Sequence, residues 1–354
     1  MNALNRLRAY LKESGTGAAL LVNPKNLHYF AGFTGTTGVA FVTKDSALMI
    51  TDSRYTAQAK VQCGGYEVVE YAGHAFEPAA ERSRAEAVSR CAFEGNYVTV
   101  DVYEDIRARL PDVELTSVRF ETLRAVKRPD EADIMREAAR IADDAFSALL
   151  PQLKPGMTEN EARVILECEM LKRGSEEAAF ATIVASGVRS SMPHGVASDK
   201  VIEEGDFITF DFGAVYKGYH SDITRTIVLG KANAFQKELY ALVLRAQEAG
   251  VAAVKAGVSC AAVDAVSRNI IDEAGYGTYF GHGLGHGVGL DIHEQPVLSP
   301  KSMSILKAGQ VVTVEPGVYL PGRMGLRIED SVIVTDEGCE IITKTPKDLI
   351  ELTV

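Results

Sequence analysis

Four carboxylates and a cluster of histidines are the residues of this sequence whose types and spacing imply shared chemistry. Asp211 and Asp222 lie in FDFGAVYKGYHSD, residues 210–222. Residues 207–215 are apolar and β-branched or aromatic, Lys217-Gly218 supplies a turn, and residues 219–228 run back as a second strand. The pattern predicts a β-hairpin. In a hairpin closed by two residues, positions an odd number apart share a face across the ladder. Both carboxylates then point into one small space, where their repulsion is costly unless a cation sits between them. From this stretch alone, a pair of solvated turn aspartates is the competing reading.

The elements that carry the hairpin occur twice. In KPGMTENEARVILECEMLKRG, Thr158 and Glu161 form a capping box and Gly174 ends a helix. Lys154, Gly156, Thr158 and Gly174 correspond to Lys255, Gly257, Ser259 and Gly275 at a constant offset. Further on, Gly205, Thr209, Asp211 and Gly213 fall on Gly309, Thr313, Glu315 and Gly317. Helix followed by hairpin is thus a duplicated unit. The second hairpin turns at Pro321-Gly322 and returns through LRIED, bringing Glu329 back as the counterpart of Asp222. Two such hairpins about a pseudo-twofold axis gather four carboxylates, and a bound pair of divalent cations offsets their repulsion.

Between the hairpins, GHGLGHGVGLDIHEQP (281–296) supplies His282, His286 and His293, with glycines that let the backbone run close to a ligand. Imidazole with carboxylates and no thiolate suits Mn²⁺, Co²⁺, Zn²⁺ or Fe²⁺. Two such ions bridged by carboxylates and water are arranged for hydrolytic attack. Competing motifs fail. No frame of the glycine stretch reads GxGxxG, and no Walker lysine is present. Val297 stands where HExxH needs its second histidine, and Ser190 and Ser191 lie in no GxSxG elbow.

The chain has 354 residues, 46% of them apolar and 24% charged, which allows two domains and a sizeable core. A net charge of -11 argues against nucleic acid or an anionic membrane as partner. Five scattered cysteines without a CxxC pair suit a reducing cytosol. No apolar run approaches membrane-spanning length. A cytoplasmic protein is the expectation.

Upstream of the repeat, residues 18–22, 38–42, 47–51, 67–71 and 97–102 read as strands. Residues 55–62, 77–91 and 104–110 read as helices, with Asp52 or Ser53 as a helix cap. This alternation predicts an α/β domain over 1–126. His28, in a loop, either reaches a neighbouring site or is structural. From Pro129, apolar positions through Ile134, Ala138, Ile141, Ala145 and Leu149 predict a long helix opening a second domain, 127–354.

Together, DFGAVYKGYHSDITRT, SSMPHG, GHGLGHGVGLDIHEQP, TVEPGVY and GLRIEDSV resemble the pita-bread metallopeptidases, in the Xaa-Pro aminopeptidase (aminopeptidase P) and prolidase branch. YFAGFTGTTG and TDSRY resemble that branch's N-terminal domain. The resemblance implies an α/β domain followed by an α+β pita-bread catalytic domain. It implies Asp211, Asp222, His286, Glu315 and Glu329 as ligands of two divalent metal ions, Mn²⁺ foremost. His194 and His293 match the family's non-ligand histidines around the substrate, and Arg327 its active-site arginine. Glu315 passes a proton to the leaving nitrogen. His282 either shapes the pocket or packs within the glycine-rich turn. The implied activity is removal of the residue before an N-terminal penultimate proline, by a metal-bridging hydroxide, in a homodimer. An Xaa-Pro dipeptidase is the alternative, and a non-hydrolytic peptide-binding module a third. The FTGTTG stretch tips the expectation toward the aminopeptidase.

Overall fold

Hydrophobic strands that pair side by side in the sequence also pair in space, but the order of the sheet comes from longer crossovers. The structure, a computed structural model, describes residues 2–353. The chain folds as two compact units, Met1–Arg124 and Ala125–Val354.

The first unit holds a six-stranded sheet in the order Glu67–Glu70, Ala47–Thr51, Val39–Thr43, Ala18–Leu21, Arg90–Phe93 and Glu114–Ser117. The three central consecutive strands pair antiparallel, and the outer pairings are parallel. Leu20, Phe41, Ile50, Cys91 and Ile106 close the core on one face.

Several local expectations fail here. The helix predicted over 77–91 stops at Ala85, because Ala87 takes a left-handed conformation and Cys91-Ala92-Phe93 join the sheet. The strand predicted over 97–102 is the entry to the helix Val100–Arg109, whose first turn is capped by the Thr99 side chain. His28 lies in the helix Pro24–Ala31, opened by Asn23 and Pro24, where a loop was expected. The helix Thr56–Gln62 has no side-chain cap, and Asp52 instead closes a turn onto Arg54.

The second unit is a duplicated helix-and-hairpin domain with a pseudo-twofold relation between its halves. Each half carries a side-chain-capped helix, Glu159–Lys172 after Thr158 and Cys260–Glu273 after Ser259. The equivalent glycines adopt the same left-handed backbone: Gly156 and Gly257, Gly174 and Gly275, Gly205 and Gly309. Even the isolated bridges Thr158 to Val201 and Ser259 to Ile305 recur. The first half's sheet runs Glu351–Leu352, Ile223–Leu229, Phe207–Phe212, Ile183–Ser186. The second runs Glu294–Leu298, Gly285–Gly287, Val311–Val314, Asp330–Val334, Cys339–Ile341.

Helices cover each sheet and lock the strands in place. The amphipathic helix Pro129–Leu149 buries Ile141, Ala145, Phe146 and Leu149 against the first sheet. Phe146 stacks on Phe212 at 5.3 Å and meets Phe210 edge-on at 5.4 Å, flanking Asp211 on the strand. In the second half, Val243 and Val263 pack with Leu284, Val312 and Val332. Among the described residues no helix is long and apolar enough to cross a membrane.

Candidate metal centre

The first hairpin is built in two pieces with one register. Tyr216 pairs with Tyr219 and Phe212 with Ile223, while Lys217 and Gly218 both take positive φ. Between the pieces a Cβ at Gly213 would lie 1.9 Å from the Ser221 carbonyl, so only glycine fits this approach. Asp211 is opposite Thr224, and Asp222, two residues before Thr224, shares its face. In the second hairpin the register Val314 to Asp330 and Gly317 to Arg327 sets Glu315 across from Glu329.

These strands deliver the carboxylates to one place. Asp211, Asp222 and Glu329 each offer an oxygen, all within 4.8 Å of one another. His286 Nε2 lies 3.5 Å from Asp222 Oδ2 and 3.4 Å from Glu315 Oε1. Its position is fixed by neighbours: the His286 N–H donates to Thr313 Oγ1 at 3.0 Å, and Thr313 Oγ1 donates to Glu315 Oε1 at 3.1 Å. His286 Nδ1 sits 3.0 Å from the Gly287 carbonyl, so Nδ1–H donates there and Nε2 turns its lone pair to the cluster.

The electrostatics say the same. Burial, then the charges of Glu329, Asp211 and Glu315, holds the Asp222 carboxyl well above the usual carboxylate range. Burial and then Glu315 and Asp211 do this to Glu329. Burial also raises Glu315, against the charges of His282 and Arg327. Burial pushes the His286 imidazole down, toward the neutral form that ligates metal. Asp211 Oδ1 and Glu329 Oε1 are buried without a hydrogen-bond partner. Two orphaned carboxylate oxygens among mutually repelling acids beside a neutral imidazole fit divalent cations of the harder, oxygen-loving kind.

Arg327 supplies the cluster's own positive charge. It is buried, and it donates to Asp211 Oδ2, to Thr224 Oγ1 (Nε, 3.0 Å), to the Tyr319 hydroxyl (Nη1, 2.7 Å) and to the Pro193 carbonyl (Nη1, 3.1 Å). Burial works against its charge, but the carboxylates of Asp211, Glu315 and Glu329 hold it ionised. Thr224 Oγ1 in turn donates to Glu329 Oε2 at 2.6 Å.

The histidines separate into roles. The exposed His293 ring stands over His286 at 4.4 Å between centroids and 63° between planes. His194 is exposed. His282 packs edge-on against Phe280 and lies 3.0 Å from the Tyr319 hydroxyl, which Arg327 also reaches. Burial pushes that hydroxyl up to about 12, so it stays neutral as a hydrogen-bonding group.

Three contributors have no legible sequence signal. Tyr319 and Thr224 read as ordinary strand residues. Glu294, the acid of the failed HExxH, forms a buried ion pair with Lys127 at 3.0 Å and accepts from the Asp291 N–H. That pair braces the loop that presents His293.

The match with known proteins agrees with this geometry. The model for metallopeptidase family M24 matches residues 133–336, and that for the creatinase/prolidase N-terminal domain matches residues 4–126. The chain belongs to metallopeptidase family M24. Among solved M24-like structures, the Xaa-Pro dipeptidase from Bacillus anthracis is 47% identical with a TM-score of 0.96, over 99% of both chains. The X-Pro aminopeptidase from Thermotoga maritima MSB8 is 40% identical with a TM-score of 0.90, again over 99% of both. The Xaa-Pro dipeptidase of Pyrococcus furiosus is 38% identical, covering 98% of this chain and 99% of that protein. M24 membership implies divalent metal ions in this chain.

Proposed function

We propose that this M24 metallopeptidase hydrolyses Xaa-Pro dipeptides with two divalent ions, Mn²⁺ foremost, held by Asp211, Asp222, His286, Glu315 and Glu329. The observation that carries the reading is the cluster itself, with buried, partnerless oxygens on Asp211 and Glu329. When bound, the ions supply Lewis-acid polarisation of the peptide carbonyl and acidify the attacking water.

The chain's own residues perform the remaining work. Glu315, its proton affinity raised by burial, takes a proton and returns it to the proline nitrogen, which departs only when protonated. His293, beside His286, donates to the oxyanion that develops on the carbonyl. His194 faces the substrate from the loop fastened to Arg327. The substrate's free amino group finds its counter-charge in the carboxylates, which sets the cut after the first residue.

The dipeptidase reading displaces the aminopeptidase expectation for two reasons. The similarity to the B. anthracis and P. furiosus dipeptidases supports it. The FTGTTG stretch, which favoured the aminopeptidase, has Thr34 and Thr36 bonded to Gln58, Gln62 and Tyr55 of its own unit. The aminopeptidase stays the second reading, on the similarity to the T. maritima protein. The five free cysteines suit a reducing cytosol, and the family resemblance favours a homodimer.

Comparing kcat/KM for Ala-Pro, Ala-Pro-Ala and Ala-Ala tests the proposal. Ala-Pro should exceed each of the others by about tenfold or more, a margin of roughly 1.4 kcal/mol in transition-state binding. Faster cleavage of Ala-Pro-Ala would establish the aminopeptidase, and equal cleavage of Ala-Ala would remove proline specificity.

A further inference from the structure

One buried carboxylate outside the metal cluster collects donors from both ends of the loop that carries His194. Glu159, at the first position of its helix, has no exposed surface. Its Oε1 accepts from the Ser186 N–H at 2.8 Å and the Ser186 hydroxyl at 2.9 Å. Its Oε2 accepts from Arg189, from the Ser198 N–H at 3.1 Å and from the Ser198 hydroxyl at 2.7 Å. These donors fill the four or so lone-pair sites of a carboxylate. Ser186 and Ser198 are the two feet of the loop, and Arg189 spans it by donating also to the Val196 carbonyl at 2.8 Å.

The duplication shows that the fold does not demand this carboxylate. At the equivalent place in the second half stands Cys260, equally buried, at the first position of its own capped helix. The backbone anchoring is also equivalent, since the Glu159 N–H donates to the Lys200 carbonyl and the Cys260 N–H to the Ser304 carbonyl. A neutral, small side chain therefore satisfies the helix start. What Glu159 adds is the fastening of residues 186–198.

We propose that Glu159 is the positioning residue for His194: it clamps both feet of the loop, so that the exposed imidazole is held toward the substrate while Arg327 holds the adjoining Pro193 carbonyl. The proposal deepens the functional reading above and rests on it for the substrate-facing role of His194. A displacement of about 1 Å in such a group costs up to about a hundredfold in rate.

The test uses Glu159→Gln in the full-length, Mn²⁺-loaded protein. The amide is isosteric but cannot accept from all five donors. Three results are expected. Backbone amides of 187–198 exchange with deuterium about tenfold faster, with the rest of the chain and the bound metal unchanged. The kcat for Ala-Pro falls about tenfold to a hundredfold. In a His194→Ala background the same substitution costs less than about twofold, because its effect runs through that imidazole. An equal loss in both backgrounds, or unchanged exchange of 187–198, would overturn the proposal. Arg189→Ala, at a half-buried side chain, should reproduce the pattern if Glu159→Gln does not fold. If the wild-type protein releases no proline from Ala-Pro, the functional reading fails, while the exchange measurement still decides whether Glu159 clamps the loop.

Discussion

Asp222→Asn should abolish hydrolysis and metal binding while making the chelated protein more stable, a reversal of sign that an ordinary damaging substitution does not produce. Asp222 is buried and its carboxyl is held well above its usual range by burial and by three neighbouring carboxylates. A group whose folded pKa is raised stabilises the fold below its unfolded value, near 3.8, and that contribution is lost as pH rises through the folded value. Asparagine carries no such penalty. In chelated protein the variant's melting temperature should therefore exceed the wild type's by a margin that grows as pH rises from about 4 toward 8. With Mn²⁺ the order inverts, because the wild type gains metal binding energy that the variant cannot. The activity lost should be at least about a thousandfold, the several kcal/mol that divalent ions contribute to such transition states. Equal melting curves for chelated wild type and variant would show that the four acids do not repel one another.

Arg327→Ala should damage stability and catalysis together. The guanidinium binds Asp211, Thr224, Tyr319 and the Pro193 carbonyl at once, so one side chain links a proposed metal ligand to the loop before His194. Removing one partner of a buried ion pair costs about 3–5 kcal/mol, since Asp211 is left without its counter-charge. The urea midpoint should fall accordingly at an unchanged m-value. Metal affinity and kcat should each fall about tenfold to a hundredfold, the usual range for a residue that orients a ligand. Arg327→Lys should rescue little of this, because an ammonium cannot match the planar fork that reaches four partners. A lysine variant with wild-type kcat would reduce Arg327 to a point charge.

The duplication was the legible part of this chain, because it left paired residues at a constant offset. Gly156 with Gly257 and Gly205 with Gly309 are visible in the sequence because left-handed backbone selects glycine. Strand parity then put Asp211 and Asp222 on one face, and the Lys217-Gly218 turn set the register. The first unit was less legible. Val100 and Val102 invite a strand reading, and only the Thr99 cap, bonded to the Val102 N–H, reveals a helix. Thr224 and Tyr319 were invisible because a strand residue that hydrogen-bonds a buried arginine looks like one that merely fills space. The Lys127–Glu294 pair joins residues far apart in sequence, and no local pattern encodes such a contact.

The most direct test of a dinuclear hydrolytic centre is to strip the protein with a chelator, then titrate Mn²⁺ while following both bound metal and proline released from Ala-Pro. No release is expected from the stripped protein, with activity rising in step with binding and saturating at about two ions per chain. Undiminished proline release from protein holding less than about one ion per ten chains would contradict the centre's role, since the carboxylate and histidine cluster would then have no catalytic cation to hold.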